Sequence, residues 1–272
     1  MNNARKVVCF CLGLMSVSVN SKELPLWELG VGFGALHQSC YTGTNQTCSY
    51  AFPILLPVYR GDFLKADDKG FRAQLFKDDR YKLDLSADFN FAVESDNLDL
   101  REGMEDIGNL LQIGPSIEVT TYKDKYDKWY INLPVRFVFE IDDSDVDSVG
   151  YNFSPGLVYE HKFPETSWRI GTSVYAQYGS QEYNEIYYGV DEQFATSTRS
   201  AYEADGGYSG ARLQLALTSK TPKNLLVFFL RYDNISGAVF DDSPLVETDD
   251  NLTVGFLYSR YVLKSKTMVD RR

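Results

Sequence analysis

The sequence predicts an all-β protein: a closed, antiparallel, up-and-down transmembrane β-barrel of about 12 strands with long external loops. Three observations predict it. First, residues 81–93 alternate almost throughout, Ala92 being the one apolar residue on the polar side. Tyr81, Leu83, Leu85, Ala87, Phe89, Phe91 and Val93 are apolar; Lys82, Asp84, Ser86, Asp88 and Asn90 between them are polar. A β-strand sends alternate side chains to opposite faces, so one face is oily and the other wet. Globular strands usually run about 5–6 residues, whereas a tilted transmembrane strand needs about 9–11. Second, the chain holds 19 tyrosines and 17 phenylalanines, the rings that form interfacial girdles. Its mean hydropathy of -0.29 suits a barrel, in which only half of each strand faces lipid. Beyond the N-terminus no run approaches the roughly 18 apolar residues of a membrane helix. Third, the connections from residue 94 onward alternate in length.

In chain order, residues 1–21 read as a signal peptide: Arg5 and Lys6 precede a short apolar run at 7–19, with cleavage after Ser21. The barrel follows at 22–263 and a polar tail at 264–272. Cys9 and Cys11 leave with the signal. Cys40 and Cys48 flank a small polar loop in an exported chain and are expected to form a disulfide; a metal pair is the weaker alternative, with no third ligand near. Strands are expected at 27–37, 50–59, 62–66, 70–77 and 81–93. Further strands are expected at 110–121, 128–140, 151–161, 168–178, 208–219, 225–233 and 252–263.

The connections run long (94–108), short (123–127), long (141–149), short (163–166), long (180–206), short (220–223) and long (234–250). Bacterial barrels have short periplasmic turns and longer external loops. The last strand therefore runs inward and 81–93 outward. Parity then requires an even number of strands before residue 81: four, giving 12 in all, or two, giving ten if two short pieces belong to one external loop. The tyrosines of 180–206 are read as girdle residues.

The inward-facing charged set is Glu28, Lys82, Asp84, Asp88, Glu118, Arg136, Glu140, Arg169 and Arg212. Unpaired charge away from water is costly, so these residues are expected to pair across the lumen; lining a narrow pore is the other use. His37 and His161 fall at opposite rims and cannot share a site. No nucleophile motif accompanies either, so no catalytic residue, no cofactor and no metal site is expected. Asp142, Asp143, Asp145 and Asp147 lack the glycine and glutamate of a calcium loop. A net charge of -11 excludes nucleic acid, since nothing here releases phosphate counterions.

Several stretches then carry a family resemblance. Leu56-Pro57-Val58-Tyr59-Arg60-Gly61-Asp62-Phe63 is followed by Lys69-Gly70-Phe71-Arg72-Ala73-Gln74-Leu75-Phe76. Asn132-Leu133-Pro134-Val135-Arg136 lies mid-barrel. Tyr187-Tyr188-Gly189-Val190, Gly206-Gly207-Tyr208 and the run from Gly237-Ala238-Val239-Phe240 to Leu245-Val246 complete the set. Together they resemble the MipA/OmpV family of outer-membrane proteins. The resemblance implies a non-enzymatic barrel in the outer membrane, in contact with its lipid. It also implies a scaffold role toward a murein transglycosylase and a peptidoglycan synthase, with adhesion or osmotic response as other roles in the family. Partner contacts would lie on the turns at 123–127, 163–166 and 220–223. One departure is the C-terminus: Tyr258 and Tyr261 are followed by Leu263 and a polar tail, where barrels commonly end on an aromatic.

Overall fold

A computed structural model describes residues 23–67, 70–142 and 145–270. The expected signal peptide lies outside them. The strands are β1 (Trp27–Ser39), β2 (Thr47–Arg60), β3 (Leu64–Asp67), β4 (Gly70–Lys77), β5 (Tyr81–Asn90), β6 (Asn109–Lys123) and β7 (Asp127–Asp142). Then come β8 (Asp145–Phe153 with Gly156–Lys162), β9 (Trp168–Gly179), β10 (Gly207–Lys220), β11 (Asn224–Asn234) and β12 (Asp250–Lys264). The two pieces of β8 are one strand. Phe153 opposes Val135 and Gly156 opposes Asn132 in the same register, and Pro155 only removes a donor between them. Each strand pairs antiparallel with its neighbours in sequence, and β12 pairs with β1 to close the ring of twelve.

Alternation decides which face each side chain takes. On β1, Val31 and Phe33 are exposed outward while Glu28 and Gly30 are buried inward. Leu213, Leu252 and Val254 repeat the outward pattern on β10 and β12. Gly32 sits at the closing seam, where an added Cβ would lie 1.8 Å from the Tyr258 carbonyl oxygen; only glycine lets β12 come this close.

Three features differ from expectation. The long loop expected at 141–149 is a hairpin: Asp142 already opposes Asp145 and Glu140 opposes Asp147. Acidic residues end a membrane strand's apolar pattern, but they do not end its hydrogen-bond ladder once it projects into water. The ladder of β5 stops at Asn90, and Val93 pairs only with Ile107 as an isolated bridge. Residues Met268–Val269 form a two-stranded sheet with Leu24–Pro25 at the short-turn rim.

The wall is uneven. The short hairpin β3–β4 meets β2 only at Tyr59 and Arg60, and the ladder from β4 to β5 reaches no higher than Arg72 opposite Ser86. The upper length of β2 has a strand on its β1 side alone.

Candidate functional site: a filled lumen beneath a folded cap

The inward-facing charges separate into two layers. At the short-turn end, Glu28 pairs with Arg60, which also donates to the Pro25 carbonyl at 2.6 Å. Arg72 grips Asp67 with both terminal nitrogens, at 2.8 and 2.9 Å. Lys82 pairs with Asp84, and Lys128 with Glu118. Asp84 also lies 3.9 Å from Arg72, and Lys82 lies 3.9 Å from Glu118, so the pairs join into a chain. Arg169 lies in this layer within electrostatic reach of Asp67. Between the charges the lumen is packed: inward-facing Val58, Leu225, Thr218 and Ser259 are all buried. These side chains form a floor across this half of the barrel.

The second layer is higher. Arg136 reaches Asp88 at 3.2 Å. Arg212 and Arg231 share Asp233, at 2.6 and 2.9 Å. Glu140 stands apart at the mouth, accepting the Gly108 N–H at 2.6 Å. Arg60, Asp67, Arg72, Lys128, Arg231 and Asp233 were not in the expected set. Arg60 and Asp67 fall just outside the strands expected at 50–59 and 62–66, but alternation within 225–233 places Arg231 and Asp233 on the face opposite Leu230 and Tyr232.

The long connections are not free loops. Segments 40–46, 91–108, 180–206 and 235–249 fold together into a cap with its own core, which includes Tyr41, Leu98, Ile107, Tyr188, Ala204 and Phe240. Cys40 and Cys48 are disulfide-bonded at its base, Cα atoms 5.0 Å apart. Helix α1 (Gln181–Tyr188) starts where the Ser180 side chain accepts the Tyr183 N–H, a standard N-cap. The tyrosines of this segment are therefore not girdle residues. Tyr183, Tyr187 and Tyr188 enter the mouth, and burial pushes all three hydroxyls above their usual pKa. A 3.6-residue period turns them inward together, which a strand-based reading of 180–206 could not show.

Two arginines knit the cap from within. Arg101 donates to Ser95 Oγ and to the carbonyls of Glu105, Ile186 and Tyr187. Arg199 donates to the carbonyls of Phe194, Leu100 and Glu102. Five fixed donors suit such carbonyl clusters. A cavity of about 280 Å³ remains under the cap, roofed by Tyr183 and Tyr187 and walled by Arg136, Arg212, Arg231 and Asp233.

The histidines stay apart: His37 bonds Ser49 near one rim, and His161 bonds Asp127 near the other. Among the described residues no three His, Cys, Asp or Glu side chains cluster as a metal site would require.

A model of the MltA-interacting protein MipA family matches residues 29–261. No curated protein matches. Solved structures with similar folds include a CymD monoaromatic hydrocarbon channel: 11% identity, TM-score 0.34, 93% of this chain and 94% of that one. The Pseudomonas putida toluene transporter TodX is similar at 9% identity and TM-score 0.36, over 86% and 88% of the two chains. OprG from Pseudomonas aeruginosa is similar at 8% identity and TM-score 0.23, over 88% and 94%. Likeness at this level carries nothing about what these barrels handle over to the present chain.

Proposed function

This chain belongs to the MltA-interacting protein MipA family, and from that membership we propose that it is a non-enzymatic scaffold. It stands in the outer membrane, and its short-turn rim docks a murein transglycosylase and, through it, a peptidoglycan synthase. The observation that carries the proposal is the occupied lumen, with ion-paired side chains below and a folded cap above. A barrel built this way offers partners a surface rather than a passage. The family name supplies the class of partner.

The turns at 124–126, 163–167 and 221–223 are small against the roughly 1,200–2,000 Å² that a stable interface buries. The sheet of Leu24–Pro25 with Met268–Val269 adds area on the same rim, and Met268 and Leu263 beside it are exposed. Exposed apolar groups on a rim that faces the periplasm are suited to a protein partner.

The test is capture from envelope extracts with the tagged full-length barrel. Enrichment of a murein transglycosylase over a barrel of similar size is the expected result; equal recovery from both overturns the proposal. Planar-bilayer recordings check the premise: silence is expected, and steady conductance steps would favour the pore instead.

A further inference from the structure

The wall of the barrel holds a window beside the upper half of β2. Its sill is the short hairpin β3–β4, which meets β2 only at Tyr59 and Arg60. Its lintel is Gln46, whose side-chain oxygen accepts the Asp99 N–H at 2.7 Å and whose amide donates to the Asn97 carbonyl at 3.4 Å. Its jambs are the upper parts of β2 and β5. Two strand widths are absent between them, so the jambs stand about 14 Å apart at the usual strand spacing. Outward-facing Leu55 on one jamb and Phe89 on the other are exposed, as lipid-facing residues are.

The sequence is adapted to this opening. The Arg60 N–H bonds to Leu26, on the β1 side. Successive N–H groups alternate in direction along a strand, and β2 carries no register shift against β1. Odd-numbered residues of β2 therefore direct their N–H toward the window. Two of them are Pro53 and Pro57, which have no N–H to offer. Proline is tolerated at an edge and discourages a further strand from adding there. On the other jamb the Phe89 N–H is taken by its neighbour's carboxylate, Asp88 Oδ1, at 2.9 Å.

Aromatic rings curtain the window without hydrogen bonds. Tyr50 of β2 stacks on Phe91 beyond β5 with centroids 5.4 Å apart, and Phe52 lies 6.1 Å from the same ring. The inward face of β2 is apolar from Tyr50 to Val58, through Phe52, Ile54 and Leu56. Phe91, which Tyr50 and Phe52 touch, also lines the cavity together with Leu36 and Phe229. Deeper in the cavity, Arg136, Arg212 and Arg231 face only Asp88 and Asp233. That is an excess of positive charge inside a chain of net charge -11. An open sheet edge in a membrane wall is tolerated only where it borders protein or water; Phe91, which closes this opening, also lines the polar cavity.

We propose that the window admits a single-chain amphiphile with an anionic head, a fatty acid or a similar acid, from the outer leaflet. Its tail lies among Tyr50, Phe52 and Phe91, and its head meets Arg136, Arg212 and Arg231. Guanidinium forks bind carboxylates in this way, and a mostly apolar pocket with a few convergent polar groups is the usual form of a small-ligand site. The site is separate from the short-turn rim, so it stands or falls independently of the scaffold role.

The test uses the full-length barrel refolded in phosphatidylcholine vesicles and a diazirine-bearing dodecanoate. Photolabel is expected on cavity peptides, lowered about tenfold by excess dodecanoate and little by dodecanol, a difference of about 1.4 kcal/mol. Arg231→Gln, with its fold verified by heat-modifiable gel mobility, is expected to lose most of that label. Phe91→Ala is expected to label faster, because it removes the curtain and leaves the arginines. Label confined to outward residues such as Leu55 and Phe71 and indifferent to competitor overturns the site. Equal competition by dodecanol overturns the anionic head.

Discussion

Tyr188 lies flat on Phe240, with ring centroids 3.6 Å apart and 11° between the planes. The same tyrosine donates to the Thr42 carbonyl at 2.9 Å, and its own carbonyl accepts from Ser243 Oγ at 2.7 Å. One residue of α1 thus ties together three connections that are far apart in sequence. The cap is packed on the barrel mouth, its core reaching Leu110 and Val138 of the strands below.

Tyr188→Ala is expected to loosen the cap and spare the barrel. Removing a large buried ring costs about 3–5 kcal/mol, and the Thr42 carbonyl loses its donor as well. Limited trypsin digestion should then cut within 91–108 and 180–206, where Arg101 and Arg199 are now buried. Heat-modifiable mobility should persist. Tyr188→Phe keeps the stack and should cost only about 1 kcal/mol, the net worth of one hydrogen bond. Equal protease sensitivity in both variants would count against the stack as the fastener.

Asn251 of β12 fastens the same 40–46 segment from below. Its side-chain oxygen accepts the Gly43 N–H at 2.7 Å, and its amide donates to Ser39 Oγ at 2.7 Å and the Thr44 carbonyl at 3.0 Å. Gly43 has φ +106°, a conformation that glycine adopts without strain. Asn251→Ala leaves the Gly43 N–H and the Thr44 carbonyl buried and unpaired, at about 1–3 kcal/mol each. Faster amide exchange at 40–46, with exchange in β1 and β2 unchanged, is the expected result. Uniform loss of protection through those strands would mean that Asn251 supports the wall rather than the cap.

The cap should also fail before the barrel at alkaline pH. Burial pushes the Tyr41 hydroxyl from 10.0 up to about 12, and it raises Tyr183, Tyr187 and Tyr188 in the same sense. These groups hold their protons in the folded cap and release them at the ordinary value once it opens. The open form therefore binds fewer protons above pH 10, and stability falls as pH rises. The contribution is complete below about pH 10 and is lost as pH rises through about 12. Tyrosinate absorbance should show a late-titrating class that appears together with protease sensitivity. If the cap tyrosines titrate with the exposed ones, they are not buried.

Most of the barrel was legible in the sequence because a membrane strand must repeat every second residue over its whole length. Phe33 on β1, Phe89 on β5 and Leu213 on β10 each declare their face through their neighbours. The cap was not legible. Tyr187, Phe240 and Tyr41 meet across loops whose partners are set by tertiary contact, and no local period links them. The shortness of β3 was half legible: 62–66 was expected as a strand, but nothing local shows that Asp67 ends it well below the top of β2. Pro53 and Pro57 were the available signal, two prolines placed alike on one edge.

The floor network makes the last prediction. Glu118 sits between Lys82, at 3.9 Å, and Lys128, and all three side chains are at least three-quarters buried. Buried ion pairs add little over an apolar substitute, because desolvation offsets their attraction. Breaking one is different, since it strands a charge. Glu118→Gln takes away the carboxylate between Lys82, which keeps Asp84, and Lys128, and should cost up to about 3 kcal/mol. Lys128→Met in the same chain removes the ammonium group that Glu118 faced, leaves Lys82 with Asp84, and should recover part of the loss. The double-mutant cycle should therefore show strong coupling, read from urea unfolding midpoints in lipid vesicles. If the two substitutions simply add, the floor is held by its packing around Val58 and Leu225, and its charges are only tolerated.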